Sequence, residues 1–147
     1  MPQGADEELK VPHLESGDRL DRAEFERRYH AWPSIKKAEL IEGVVYVPSP
    51  TRQEHAEPHG HLVTWLGVYA ARTPPVRMSD NGTVRMDPHN EPQPDAALRL
   101  PAEFGGSTRT DDDGYLVGAP ELIVEVSFSS ASYDLGPKKQ AYLRNGV

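Results

Sequence analysis

No cysteine occurs among the 147 residues. Disulfides and thiolate metal sites are therefore excluded, and any metal would be held by Asp, Glu or His. No apolar run reaches membrane length, and the start Met1-Pro2-Gln3-Gly4-Ala5-Asp6 lacks the apolar segment of a signal peptide. The expectation is a protein of the reducing cytoplasm with no membrane partner. Hydrophobic residues, at 37%, are few for a globular chain. Cations are also short, 16 Lys and Arg against 23 Asp and Glu, for a net charge of -7. That balance speaks against a nucleic-acid coat or a broad basic groove. Proline is plentiful, with 14 residues that imply much loop.

The length suits one domain with a real core. Residues 1–16, acidic and interrupted by Pro2 and Pro12, read as a disordered or loosely attached tail, and residues 17–147 as a single domain. Charge is uneven within it. Asp111-Asp112-Asp113 forms an acidic knot, whereas Val126 to Val147 sets one acid, Asp134, against Lys138, Lys139 and Arg144. A local basic surface near the C-terminus follows from that asymmetry.

Periodicity predicts a helix over about 20–31, ended by Pro33, and a hairpin of 38–41 and 44–47 about Glu42-Gly43. A second helix is expected from about His59 to Ala71, with Pro58 arguing against regular helix before it. Ser79 to Gly82 reads as a turn, 83–86 as a short strand, and Glu91 to Leu100 as an extended approach into another. Pro101 to Gly114 reads as a long loop. A last helix is framed by Pro137 at its first position and Gly146 just past its end. No internal repeat is visible. The fold class expected is α/β, or mixed α+β, with a small sheet.

Pro120 to Ser127 reads as a buried strand, and Glu125 lies in its middle. A carboxylate there needs a partner, because its desolvation is costly. Asp95 enters another strand just after Pro94. Adjacent strands lie about 5 Å apart, so the two carboxylates would repel unless a cation sat between them. Mg²⁺ suits such a pair, since it takes hard oxygen ligands, usually one or two carboxylates with waters and phosphate. Lys138 and Lys139 are the candidate cations for a hydrolytic site. Both fall in the first turn expected for the last helix, where the helix dipole disfavours them. They point about 100° apart, so only one can face the acids. Asp134, Lys138 and Tyr142 would form a ladder if the helix reached that far back. His55, His59 and His61 cluster, and His55 with His59 has the spacing of a helical metal pair. Most histidines in such a setting are surface or helix-entry residues.

These pieces resemble the PD-(D/E)xK nuclease superfamily and, more closely, the Uma-type family of restriction-endonuclease-like proteins, formerly a domain of unknown function. The resemblance is carried by Glu39-Leu40-Ile41-Glu42-Gly43, Ser49-Pro50 with His55, Pro94-Asp95, Glu121 to Val126, and Asp134-Leu135-Gly136-Pro137-Lys138 with Tyr142 and Asn145-Gly146-Val147. It implies a restriction-endonuclease-like core, a central mixed β-sheet flanked by helices. It also implies a divalent metal, Mg²⁺ or Mn²⁺, on Asp95 and Glu125. It makes Glu39 a third acid and Lys138 the site lysine. The usual Glu-x-Lys reads Glu125-Val126-Ser127 here, so the lysine must come from the last helix. The family continues past Gly146-Val147 into another strand, so a C-terminal portion is expected to be missing. This bears on a homodimer.

The function expected is an Mg²⁺-dependent endonuclease that hydrolyses phosphodiester bonds, with DNA as substrate by resemblance alone. Two alternatives stand beside it. One is a catalytically degenerate nuclease-fold module that binds a protein or nucleic-acid partner. The other is a histidine-metal hydrolase built from His55, His59 and an acid.

Overall fold

The structure is a computed structural model that describes residues 11–127 and 131–147, with the side chains of 131–135 excepted. Helix α1, Arg22–Ala31, begins where Asp21 accepts a hydrogen bond from the Glu24 backbone N–H at 2.9 Å, a cap worth about 1 kcal/mol. Strands β1, Glu39–Ile41, and β2, Val44–Tyr46, pair antiparallel. Glu42 and Gly43 have φ of 53° and 76°, the doubly left-handed backbone that a tight hairpin requires. Phe25 of α1 joins Leu14, Ile35, Ala38, Leu40 and Val45 in one apolar core. Leu14 belongs to the segment read as tail. Gly17 N–H and Ser16 Oγ bond to the β2 side of the hairpin, which brings 14–17 onto the core.

Helix α2 runs Gln53–Arg72 and so begins six residues earlier than expected, straight through Pro58. The proline falls in the second turn and removes one backbone bond there. The helix persists because its inner face is anchored at both ends, by His55 and His59 near the start and by Val63, Leu66 and Ala70 in a second core further on. That core holds the sheet β3–β5–β8, of Arg77–Asp80, Ala96–Arg99 and Leu122–Val124, all neighbours antiparallel. Strand β3 covers Ser79 and Asp80, which the sequence assigned to a turn. The turn itself starts at Asn81, whose φ is 53°.

A third sheet places β7, Leu116–Val117, between β4, Val84–Arg85, and β6, Arg109–Thr110, parallel to β4 and antiparallel to β6. The stretch expected to be a long loop therefore carries β6 and a 3-10 turn, Ala102–Phe104. Its acidic knot has a partner. Arg85 donates to Asp111 at 2.7 Å and Asp113 at 2.8 Å, and to Glu26 of α1 at 2.7 Å. The hairpin is tied to the rest by a bridge between Leu40 and Glu91.

Helix α3 runs Ala131–Asn145, with Pro137 inside it rather than at its start. Gly146 has φ of 88°, the left-handed residue expected beyond the helix end. The helix lies over β1. Ala141 and Tyr142 are buried, Arg144 pairs with Glu42 of the hairpin turn, and Asn145 donates to Asp87 at 3.0 Å. The basic C-terminal surface expected from composition is not formed by these residues, since Lys138 turns inward and Arg144 is paired, leaving Lys139 exposed.

Candidate active site

Strand β8 ends at Val124, so Glu125 stands just past the strand and not in its middle. The cause is Asp95. The β5–β8 register pairs Ala96 with Val124, which sets Asp95 opposite Glu125 one step on. There the ladder gives way to a side chain, and the Val126 backbone N–H donates to Asp95 Oδ2 at 2.7 Å. Asp95 is 4% exposed, buried at the sheet's mouth as its position after Pro94 implied.

Glu39 reaches the same place from β1. Its Oε1 accepts from the Gln93 backbone N–H at 2.8 Å, and its Oε2 from Lys138 Nζ at 2.8 Å. Lys138 Nζ also lies 3.3 Å from Glu125 Oε2. Tyr142, one turn after Lys138, donates its hydroxyl to Glu125 Oε1 at 2.6 Å. The two thus share the helix face that covers the acids. Asp134, the third rung of the ladder read from sequence, has its side chain outside the described residues. Because α3 starts before Pro137, Lys138 sits at the end of its second turn and the first-turn dipole argument does not apply to it.

Four sequence-predicted residues, Asp95, Glu125, Glu39 and Lys138, therefore converge. Lys139 is exposed on the other side of the helix. The electrostatics are those of crowded acids. The Glu125 carboxyl is pushed up to about 7, by burial first and then by Glu39 and Asp95, against the pull of Lys138 and the Tyr142 hydroxyl. Burial works against the charge on Lys138, but Glu39 and Glu125 outweigh it, and the ammonium is held above its usual range. Burial and the neighbouring Glu125 raise the Tyr142 hydroxyl far enough that it remains a donor.

Sequence reasoning expected surface or helix-entry histidines; His61 is exposed, and His55 and His59 lie half-buried in the first turns of the helix, facing the acids. The unbroken helix turns His55 and His59 to one side, with ring centroids 5.8 Å apart. His55 Nε2 stands 3.4 Å from Asp95 Oδ2. His59 Nε2 lies 3.0 Å from the Asp95 carbonyl and 3.1 Å from Asp80 Oδ1. Pro58 hid this, because it argued against the helix that aligns them. Lys37 was also missed. Its ammonium lies 3.7 Å from Asp95 Oδ1, and nothing in the sequence distinguishes it from Lys36.

These groups line an open cleft of about 1250 Å³ between the two cores. Lys36, Lys37, Arg52 and Lys138 line it together with Glu39, Glu54, Asp95 and Glu125. Among the described residues no three His, Asp or Glu side chains converge closely enough to cage a metal ion. The histidine-metal centre weighed from sequence is therefore not formed. The donor chemistry does fit a hydrated hard cation, which needs only one or two carboxylates. Asp95 and Glu125 oppose each other at the cleft and would hold such an ion, with water and phosphate as its other ligands.

No curated protein matches the chain significantly. Among solved structures it is similar to the crystal structure of a putative nuclease belonging to DUF820 from Anabaena variabilis. The TM-score is 0.59 and the identity 16%, over 97% of this chain and 68% of that one. The fold is accordingly restriction-endonuclease-like, with its sheet divided into the three short ones described. The family model Uma2, described as "Putative restriction endonuclease", matches residues 24–147, and the chain belongs to that family.

Proposed function

We propose that the protein is a divalent-metal-dependent endonuclease that hydrolyses phosphodiester bonds in DNA. One observation carries the reading. Asp95 and Glu125 oppose each other at the floor of an open cleft, with the Lys138 ammonium 3.3 Å from Glu125. Asp95 and Glu125 would hold Mg²⁺ or Mn²⁺, which when bound polarises a phosphate and lowers the pKa of an attacking water. The chain's own groups do the rest. Lys138 offers a fixed positive charge for the negative charge that develops on the phosphate, or orients the water. Glu39 holds that ammonium in place, and Gln93 holds Glu39. Tyr142 and the Val126 N–H fix the two carboxylates by donating to them, so little reorganisation is left for the reaction. The proposed setting is the cytoplasm. No described helix is long and apolar enough to cross a membrane.

The test is cleavage of DNA and RNA by purified protein with Mg²⁺ or Mn²⁺. Wild type is expected to cut DNA, and Asp95→Ala to lose that activity. No cutting by wild type, or equal cutting by the variant, refutes the reading.

A second reading has its own observation. Lys138 already bridges Glu39 and Glu125, so the acids are compensated without a metal. The protein would then be a non-catalytic nuclease-fold module that binds a partner. Mn²⁺ titration separates the two. A bound ion at a hundred times its dissociation constant adds about 2.7 kcal/mol of stability, and a degenerate site shows no rise in melting temperature.

A further inference from the structure

The Asp95 end of the cleft has a second lysine, and it is held in place. Lys37 precedes β1 by two residues and donates from Nζ to Asn81 Oδ1 at 2.8 Å. Its side chain remains 27% exposed. Fixing a lysine side chain gives up as much as about 2 kcal/mol of rotamer freedom, even though most of this one is covered.

The support for that fixing is built into the fold. Asn81 adopts the left-handed backbone that Asn tolerates better than most residues, with φ of 53°. Its side-chain amide donates to Asp80 Oδ1 at 2.8 Å, and its backbone N–H to the Asp95 carbonyl at 3.3 Å. Asp80 and the Asp95 carbonyl are both met by His59 of α2. Four separate elements of the chain thus aim one ammonium at the cleft.

Pairing with the buried Asp95 is part of the lysine's role, but that carboxylate takes no hydrogen bond from the ammonium. Asp95 Oδ2 already takes the Val126 N–H at 2.7 Å and faces His55, while the Lys37 contact to Oδ1, at 3.7 Å, is longer than a hydrogen bond. An ammonium has three donors, and Asn81 takes one. Two donors remain, and Lys37 lines the cleft.

We infer that Lys37 is a phosphate-binding residue. Its ammonium takes a backbone phosphate oxygen of nucleic acid at the Asp95 end of the cleft, and Asn81 is its positioning residue. This rests on the nuclease reading above. A purely structural lysine would leave the salt dependence of binding unchanged, and a phosphate contact would not, since each neutralised phosphate adds about 0.9 to the slope of log affinity against log salt on duplex DNA.

The experiment titrates a fluorescently labelled DNA duplex across KCl concentrations, reading affinity by anisotropy in EDTA and as 1/KM with Mn²⁺ present. Lys37→Met is expected to flatten the slope by about 0.9 and to raise KM. Lys37→Arg is expected to restore the slope. Asn81→Gly keeps the backbone conformation and removes the amide, and is expected to raise KM. Lys37→Gln substitutes for Lys37→Met if the latter fails to melt cooperatively. A wild-type slope in the neutral variant overturns the Lys37 assignment and leaves the nuclease reading standing. A wild-type KM in Asn81→Gly overturns the positioning role. Wild type that neither binds nor cuts DNA overturns the nuclease reading, and this inference with it.

Discussion

Glu91 is 3% exposed, and its Oε2 has no hydrogen-bond partner among the described residues. It lines a cavity of about 150 Å³ with Glu26, His30 and Tyr115. Burial first, and then the neighbouring Glu26, push its carboxyl from 4.5 up to about 8, against the pull of Arg85 and Arg22. A carboxyl with a raised folded pKa keeps its proton in the native state after the unfolded chain has lost it. Its contribution to stability is complete below pH 4.5 and is lost as pH rises through 8. At about 1.36 kcal/mol per unit the whole window is worth about 3 to 5 kcal/mol, the lower figure allowing for the proton shared with Glu26.

The perturbation is Glu91→Gln, which keeps the volume and backbone and cannot ionise. Urea unfolding of both proteins at intervals between pH 4.5 and 9 gives the difference in stability, provided the m-value does not change. Titrating groups that do not interact with Glu91 cancel in that difference. The variant is expected to match wild type within about 1 kcal/mol at the acid end. At the alkaline end it should be more stable by about 3 to 5 kcal/mol. A difference that does not change with pH refutes the reasoning, as does a variant less stable than wild type at pH 9. The result bears on the site as well. The Glu91 backbone donates to the Leu40 carbonyl at 2.8 Å and accepts from Leu40 N–H at 3.1 Å, so a charge placed on Glu91 lies beneath the strand that carries Glu39.

Two further outcomes follow from named contacts. Lys138→Met strands two buried carboxylates and should cost about 3 to 5 kcal/mol by urea unfolding at neutral pH, whereas Lys139→Met, at an exposed position, should stay within about 0.5 kcal/mol. Gly106→Ala would place a Cβ 1.6 Å from the Leu100 carbonyl oxygen, a backbone atom that cannot step aside, and should cost more than about 3 kcal/mol or prevent folding, as read by the thermal transition.

The residues that were legible in the sequence are those whose type conflicts with their local setting. Glu125 stood out in an apolar run and Asp95 at a strand entry, and both sit where such conflicts lead, at a shared cleft. The hairpin and the Gly146 cap were legible because left-handed backbone needs particular residues. The helix starts were not. Pro58 and Pro137 each pointed to a boundary, and each lies inside a helix whose tertiary contacts override it. That one error concealed the inward His55 and His59 and put Lys138 in the wrong turn. Lys37 and Asn81 were invisible for a different reason. Their importance arises from a contact across 44 positions, and neither is unusual where it stands.

The net charge of -7 was the strongest sequence argument against a nucleic-acid substrate, and the placement of the acids reduces its force. Asp111, Asp113 and Glu26 gather around Arg85 by the third sheet, where the guanidinium offsets part of their charge. Four carboxylates, Glu125 only partly charged at neutral pH, line the cleft with four Lys and Arg, so the surface proposed to meet the phosphates is not an acidic one. Such a cleft with a buried acid pair is also poised. On the proposed reading each divalent ion held by Asp95 and Glu125 makes it net positive, and affinity for DNA should depend on the ion far more than for a groove that is basic throughout. Weak binding in EDTA together with strong binding in Ca²⁺, compared at one ionic strength, is the pattern this arrangement requires. Equal binding in the two would mean that the phosphates are met somewhere other than at these acids.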